Sequence, residues 1–320
     1  MYHRIAQPQS DVWEICVSPQ NFEQHLQVLK KKGNVVSLHQ LAGEVNAERL
    51  SKNSIAITFD DGYIDNFTTA KPLLEKYGLP ATFFISSGNI ETDKEFWWDE
   101  LENIILFTAH LPGNCKMVIN GSLVEYDLKD ESFLTEVMRQ KHISWKACTE
   151  TSPTTRAELF HTIWQKLQPL PYPDQQRHLQ NIRLWAGLNT SARAGYRSMS
   201  ANEIKQLAAA PNNLFTIGAH TVTHPALAYH DITFQKNELL ENKNLLEKIT
   251  GKPTDMVAYP YGNYNEATWR VAENLHFKGA FTTEEKTIKK HDHKFSLGRF
   301  QVKDISGEQF DQQFKRMGKE

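Results

Sequence analysis

The sequence predicts an α/β protein built around a parallel sheet, and three observations support this prediction. Short β-rich runs alternate with helical patterns over the first ninety residues, as they do in βα units. The same alternation resumes after about residue 197, whereas the stretch between has a mostly helical pattern. The chain is also long enough, at 320 residues with 40% hydrophobic side chains, to bury a sizeable core. We therefore expect a sheet assembled from two separated pieces of sequence.

The predicted elements follow one another in a regular order. Strands are expected at 1–5, 34–37, 54–59, 81–85, 214–219, 256–259 and 278–282. Helices are expected at 19–32, between 63 and a stop near Gly78, and at 200–209, 231–249 and 266–274. The domain prediction is a core of residues 1–90 and 197–320, with residues 91–196 as a mostly helical insertion.

The composition excludes several classes of protein. Thirty-six Lys and Arg against 38 Asp and Glu leave a net charge of −2, which gives no positive field for nucleic acid or an anionic membrane. No apolar run reaches the ~18 residues of a membrane helix, and residues 1–10 lack the pattern of an export signal. Three widely separated cysteines suggest neither a disulfide framework nor a thiolate metal site. We expect a cytoplasmic protein with a small or neutral partner.

The first chemical motif is the pair of adjacent carboxylates, Asp60 and Asp61, that follows the strand predicted at 54–59. In parallel α/β folds, catalytic groups collect where strands end and loops begin. Neighbouring side chains of an extended chain point in different directions, so one carboxylate can bind a metal while the other remains free as a base. The alternative interpretation is an ordinary Asp-Gly turn.

The second motif is a pair of histidines, His220 and His224, after the strand predicted at 214–219. Imidazoles four residues apart converge if the segment turns like a helix, and they suit zinc and similar divalent ions. No Glu follows the first histidine, so a general base has to come from elsewhere, and Asp60 is the candidate. Because the chain has 13 histidines, the alternative is a chance pair of surface or core residues.

The third motif is Tyr259-Pro260-Tyr261-Gly262, after the strand that begins at residue 256. Proline and glycine fix an unusual backbone path here, and that path can present an N–H group to a substrate oxygen. The alternative is a simple turn with two packing tyrosines.

Taken together, the three motifs resemble in order and spacing those of the NodB-homology polysaccharide deacetylases, carbohydrate esterase family 4. Further similarity lies in Tyr2-His3-Arg4, in residues 21–26, 35–38 and 217–221, and in Leu79-Pro80-Ala81-Thr82-Phe83-Phe84. The resemblance does not extend to the predicted insertion, residues 91–196. It implies a distorted (β/α) barrel. It also implies a metal, zinc in the first place with cobalt or nickel as alternatives, bound by Asp61, His220 and His224.

The resemblance further implies a hydrolase that removes N-acetyl groups from an amino sugar in a polysaccharide or its precursor. Metal-activated water would be the nucleophile, Asp60 the general base, and the backbone N–H of Tyr261 the donor to the oxyanion. We expect the glycan to contact Tyr63, Tyr259 and Trp98, although the tryptophan could instead fill the core of the insertion. The alternatives are a deformylase or imide-type amidohydrolase, and an inactive carbohydrate-binding pseudoenzyme.

Two departures from the family pattern affect the predicted site. Ala258 stands where the family usually has the Arg that tethers the catalytic Asp, and Leu297-Gly298-Arg299-Phe300 stands in place of the late Leu-x-His segment. Our hypothesis is that Arg299 pairs with Asp60 and so replaces the missing Arg; the alternative is a surface Arg. The general acid stays open among three histidines, namely His3, His291 and His293.

Overall fold

The computed structural model describes residues 1–51, 53–189 and 192–317, which divide into two compact units. Unit 1 contains the described residues of Met1–Gln7, Ile15–Glu91 and Ser198–Glu320, and unit 2 contains those of Pro8–Glu14 and Thr92–Arg197. The predicted insertion had not included the short segment 8–14. None of the described helices has the length and apolar character needed to cross a bilayer.

The strands are numbered in chain order. They are β1 (Arg4–Ile5), β2 (Cys16–Val17), β3 (Asn34–Val35), β4 (Ser54–Ile55), β5 (Ile57–Phe59), β6 (Ala81–Ile85), β7 (Asn114–Ile119), β8 (Ser122–Asp127), β9 (Phe215–Ala219), β10 (Met256–Ala258) and β11 (Gly279–Phe281). The strand predicted at 54–59 is divided at Ala56, and those predicted at 1–5 and 34–37 are shorter than expected.

The α-helices are numbered in the same way. They are α1 (Pro19–Lys32), α2 (Leu38–Asn46), α3 (Lys71–Tyr77), α4 (Trp97–Glu102), α5 (Glu136–Ser144), α6 (Thr155–Leu167), α7 (Tyr172–Ala186), α8 (Ala201–Ala208), α9 (Ile232–Thr250), α10 (Glu266–Asn274) and α11 (Gly307–Met317). The predicted helix 19–32 is confirmed residue for residue. Its start follows from Ser18, whose side chain accepts the N–H of Asn21, and α3 ends at Gly78 in the left-handed conformation.

The centre of unit 1 is a parallel sheet in which, among the described residues, the strand order is β11-β10-β9-β6-β5. The sheet curls into a distorted (β/α) barrel, as predicted, and both of its edges are extended by single bridges. Tyr2 pairs with Phe59 beside β5, and Leu297 pairs with Phe281 beside β11. The N–H of Val302 then donates to the carbonyl oxygen of Met1 at 3.0 Å and links the two extensions.

The sheet's parallel register places the carboxyl ends of its strands at one edge. Asp60 follows β5, Ser86 follows β6, His220 follows β9, and Tyr259 follows β10. Arg299 comes two residues after the bridge of Leu297 to β11. Below this edge the strands are buried, and the rings of Phe59 and Phe83 stack at a centroid distance of 4.8 Å. A rigid apolar layer therefore supports the loops that carry the predicted site.

Unit 2 consists mainly of helices, as predicted for the insertion, but it also contains a hairpin that was not predicted. Strands β7 and β8 pair antiparallel around the turn residues Asn120 and Gly121, both at positive φ. The fully buried Arg156 donates to backbone carbonyls that include those of Thr108 and Ser132, and so holds the loops of this unit together.

The close contact between β9 and β6 requires a glycine at position 218, two residues before His220. A Cβ atom on Gly218 would overlap the ring of Phe84 and lie 3.3 Å from the carbonyl oxygen of Met256. We expect Gly218→Ala to lower the free energy of unfolding by about 1–3 kcal/mol, as over-packing of a core does. Urea unfolding measures the change.

The control for this prediction is Gly43→Ala in the exposed part of α2, where an added Cβ meets no atom within 4 Å. Alanine at such a site raises the free energy of unfolding by about 0.4–1 kcal/mol, because it lowers the entropy of the unfolded chain. Equal effects of the two substitutions would contradict the packing argument.

Candidate metal centre

The two carboxylates at the end of β5 are both buried, with Asp60 2% and Asp61 3% exposed. The N–H of Asp60 donates to the carbonyl oxygen of Tyr2 at 3.0 Å, which continues the sheet pairing. Asp61 has a φ of 73°, and Gly62 has one of 87°. This left-handed turn directs the two acids to different partners, as the sequence predicts for a strand end.

Arg299 forms a bidentate ion pair with Asp60. Its Nη1 and Nη2 each donate to one carboxylate oxygen of Asp60 at 2.7 Å. Its Nε donates to the carbonyl oxygen of Thr282 at 3.0 Å, so the arginine itself is fixed. Burial alone would raise the pKa of Asp60, but Arg299 and then His220 outweigh it and hold that pKa below its usual value. The hypothesised pair is present, and its catalytic role stays a prediction.

His220 and His224 face the other carboxylate, Asp61. The Nδ1 atom of His220 lies 2.8 Å from the carbonyl oxygen of Ala258, which can only accept, so Nδ1 donates this hydrogen bond and Nε2 is the nitrogen directed at Asp61. The Nε2 atoms of His220 and His224 lie 3.4 Å and 3.3 Å from Asp61 Oδ1. Burial lowers the pKa of His224, which favours the neutral imidazole that binds metals.

This geometry fits a divalent metal ion. Three ligand atoms, one from each of Asp61, His220 and His224, lie within 4.8 Å of one another, and all three residues are buried. Ligands about 2.1 Å from a tetrahedral ion stand about 3.4 Å apart, close to the two distances above. Asp61 Oδ1 is buried without a hydrogen-bond partner among the described residues. A cation bound by this oxygen and by the two Nε2 atoms would give it a partner.

Two further predicted groups lie beside these ligands. The ring of Tyr261 packs edge-on against His224 at a centroid distance of 4.6 Å, and Tyr261 has a φ of 58° inside the turn Pro260–Gly262. His3 follows the bridge of Tyr2 to Phe59, which puts it next to Asp60 in the sheet. Burial lowers the pKa of His3, while the nearby charges of Asp61 and Asp60 raise it.

The residues predicted to contact a glycan are all buried. Tyr63 and Tyr259 have no exposed surface, and Tyr63 lies under the guanidinium group of Arg4, at 4.5 Å from its ring centroid. Trp98 belongs to unit 2 and stacks on Phe96 at 4.6 Å, as the core-filling alternative describes. The structure therefore offers no exposed ring surface at these positions, and the substrate contacts stay predictions.

The other two histidines considered as general acids have different surroundings. His291 is 68% exposed and lies 3.9 Å from Glu48. His293 stacks on the ring of Trp269 at 4.4 Å. Only His3 of the three candidates lies directly beside the bridge of Tyr2 to Phe59, next to Asp60.

Several polar residues that hold the site had not been predicted. Ser86 links the two ligand loops: its N–H donates to the carbonyl oxygen of Asp61 at 3.1 Å, and its Oγ donates to that of His220 at 2.8 Å. Glu238 and Asn242 of α9 bind the histidine loop. Their sequence signal is two polar residues four apart on the buried face of a long amphipathic helix.

Comparison with known proteins identifies the family. The profile described as Polysaccharide deacetylase matches residues 47–106 and 185–280, on either side of most of unit 2. The match covers just under half of the chain, and it confirms the resemblance to the polysaccharide deacetylase family that the motifs predicted.

Individual relatives agree with this assignment. The Bacillus subtilis (strain 168) protein YxkH, whose name describes it provisionally as a polysaccharide deacetylase, is 35% identical over 92 residues. This match spans 28% of the chain and about a third, 32%, of the length of that relative.

Solved structures show the same fold. The chain is similar to the Streptococcus pyogenes deacetylase PplD in complex with acetate, with 20% identity and a TM-score of 0.55 over 98% of this chain and 95% of that one. It is also similar to IcaB from Ammonifex degensii, with 17% identity and a TM-score of 0.56 over 98% and 94% of the two chains.

The pair of Arg299 and Asp60 leads to a pH-dependent prediction. Arg299→Met leaves a buried carboxylate unpaired, and we expect it to lower the free energy of unfolding by about 3–5 kcal/mol at pH 7. Without Arg299, burial raises the pKa of Asp60 above its unfolded value, so the folded variant takes up a proton as the pH falls. The difference from wild type should therefore be smaller at pH 5 than at pH 7 in urea unfolding.

The control is Arg270→Met, which removes an exposed ion pair with Glu266 on α10. We expect at most about 1 kcal/mol there, with no change between the two pH values. A cost of Arg299→Met that is independent of pH would contradict the account of Asp60.

Proposed function

We propose that the chain is a metal-dependent N-deacetylase that acts on an N-acetylated amino sugar in a polysaccharide or its precursor. The observation that carries this proposal is the different surroundings of two adjacent carboxylates. Asp60 is held ionised by Arg299, whereas Asp61 faces two imidazoles and has an oxygen without a hydrogen-bond partner among the described residues. The match to the polysaccharide deacetylase profile supports the glycan substrate.

The residues that would hold the metal are Asp61, His220 and His224, and zinc is the ion that best suits two imidazoles and one carboxylate. When bound, such an ion polarises the amide carbonyl of the substrate and lowers the pKa of a water molecule. Three protein ligands leave coordination positions open for those two groups, as catalytic sites require.

Asp60 acts as the general base. Its bidentate contact with Arg299 fixes the carboxylate plane and keeps the group ionised, so it can take the proton of the attacking water. The backbone N–H of Tyr261, in its left-handed turn, donates to the oxygen that becomes negative in the transition state. Acetate and a free amine are the products.

His3 serves as the general acid that protonates the leaving amine. Its place beside Asp60 in the sheet supports this role, whereas His291 is largely exposed and His293 stacks on Trp269. The family pattern has a general-acid histidine in its late Leu-x-His segment, and this chain lacks it. His3 takes over that role.

The first test is acetate release from N-acetylglucosamine oligomers by the zinc-loaded protein. We expect Asp60→Asn to lower kcat by about 10²–10⁴-fold with one zinc still bound, because it removes the base and leaves the ligands in place. We expect His220→Ala to lose both zinc and activity, and a chelator to abolish activity until zinc is restored.

The matched control for Asp60→Asn is Asp174→Asn in α7, a partly exposed residue that pairs only with Arg177 among the ion pairs of the described residues, and this variant should release acetate at the wild-type rate. Acetate release that survives Asp60→Asn would contradict the proposed base. Zinc binding without release of acetate from any glycan would contradict the proposed substrate class.

A second test concerns the general acid. We expect His3→Gln to lower kcat by about 10²-fold or more with zinc binding retained, since glutamine cannot donate a proton to the amine. His291→Ala, which changes an exposed histidine, should leave kcat unchanged. A wild-type kcat for His3→Gln, measured by the same acetate assay, would remove His3 from the mechanism.

A further inference from the structure

The metal ligands His220 and His224 lie on a loop whose backbone is under strain. Thr221 and His224 have φ values of 65° and 57°, in a region that residues other than glycine rarely adopt and that a β-branched residue such as threonine disfavours strongly. Such a conformation persists only where its surroundings impose it. This turn is what brings two ring nitrogens, four residues apart in sequence, to the same oxygen of Asp61.

Helix α9 supplies the contacts that impose this conformation. The Oε2 atom of Glu238 accepts the N–H groups of Val222 and Thr223 at 2.9 and 2.8 Å, and its Oε1 accepts the hydroxyl of Thr223 at 2.7 Å. Glu238 is only 8% exposed, so little water competes for these bonds. One carboxylate thus fixes the middle of the strained loop.

The next turn of α9 fixes the start of the loop. Asn242 is fully buried; its Oδ1 accepts the N–H of His220 at 3.1 Å, and its Nδ2 donates to the carbonyl oxygen of Ile85 at 3.0 Å. The segment that follows β6 contacts the loop from the other side, where the N–H of Gly88 donates to the carbonyl oxygen of Val222 at 2.7 Å. The loop is therefore held at its first ligand and at its centre by a single helix.

We propose that Glu238 and Asn242 are positioning residues that preorganise the two histidine ligands for the metal ion. They contact neither the ion nor the substrate; they hold the strained turn so that both imidazoles point at Asp61 before the ion arrives. This inference rests on the proposed metal centre. Outer residues that orient metal ligands typically contribute 10–100-fold to metal affinity.

Two substitutions of Glu238 distinguish the effect of its hydrogen bonds to the loop from the effect of its negative charge on the metal ion. Glu238→Asp keeps the negative charge but is one methylene too short to reach both loop residues. Glu238→Gln loses the charge but keeps the shape: its Oε1 can accept the two N–H groups, and its Nε2 can donate to the hydroxyl of Thr223. A positioning role predicts a larger loss for aspartate, whereas a purely electrostatic effect on the cation predicts a larger loss for glutamine.

The experiment measures zinc affinity by competition with a chromophoric chelator, and the visible absorption of the cobalt-loaded protein as a report on ligand geometry. We expect Glu238→Asp and Asn242→Leu to bind zinc 10–100-fold more weakly and to alter the cobalt bands. We expect Glu238→Gln to stay within about threefold of wild type. The matched control is Glu241→Gln, an exposed glutamate on the same helix, with wild-type affinity and spectrum.

Cooperative thermal unfolding of each metal-free variant checks that it is folded. If a variant of the helix is not folded, Thr223→Val removes the bond to Glu238 from the loop side and should weaken zinc binding about tenfold, at the low end of the range for such residues.

Wild-type affinity for both Glu238→Asp and Asn242→Leu, or a loss for Glu238→Gln as large as that for Glu238→Asp, overturns the positioning role. If the proposed metal centre itself is wrong, the result is different: the wild-type protein binds no zinc, or His220→Ala binds zinc as tightly as wild type. Either result also overturns the positioning role.

Discussion

Two adjacent carboxylates buried at the end of one strand are the constraint on which the rest of unit 1 depends. Neither Asp60 nor Asp61 is more than 3% exposed, and burying two like charges side by side is costly unless each has a compensating partner. Arg299 compensates Asp60 directly. Asp61 instead faces the imidazoles of His220 and His224, and a divalent cation bound by all three residues is the partner that these surroundings suit.

The parallel sheet makes this arrangement attainable. Asp60 and Arg299 are more than two hundred positions apart in sequence. They meet because Asp60 follows β5 and Arg299 follows the bridge of Leu297 to β11, at the same edge of the sheet. The buried strands below the edge give the loops a rigid base, and the strained turns at Asp61, Thr221 and Tyr261 all lie above it. The strained backbone conformations persist there because the contacts of the surrounding structure impose them.

The sequence predicts the parts of this structure that depend on local pattern. Helix α1 is predicted to the residue by its apolar spacing, and the motifs after β5, β9 and β10 locate the two acids, the two histidines and the turn at Tyr261. The hairpin of β7 and β8 was missed although Asn120-Gly121 between alternating apolar residues is a strong hairpin signal. The helical pattern of the surrounding residues 91–196 outweighs this short signal in the prediction.

Other features could not follow from local pattern, because they depend on which surfaces meet in three dimensions. Glu238 and Asn242 appear in the sequence only as polar residues on an amphipathic helix, and their contacts with the histidine loop depend on where α9 packs. The burial of Tyr63 and Tyr259 depends likewise on long-range packing. A resemblance between motifs locates the residues around a site, but it does not show which side chains remain open to a substrate.

The most direct test of the central claim is a crystal structure of the zinc-soaked protein, with anomalous diffraction recorded at the zinc edge. The account predicts one anomalous peak within about 2.0–2.2 Å of Asp61 Oδ1 and of the Nε2 atoms of His220 and His224. It also predicts that Asp60 remains paired with Arg299 and is not a ligand. A peak bound by Asp60, or full occupancy elsewhere with none between Asp61 and the two histidines, would contradict it.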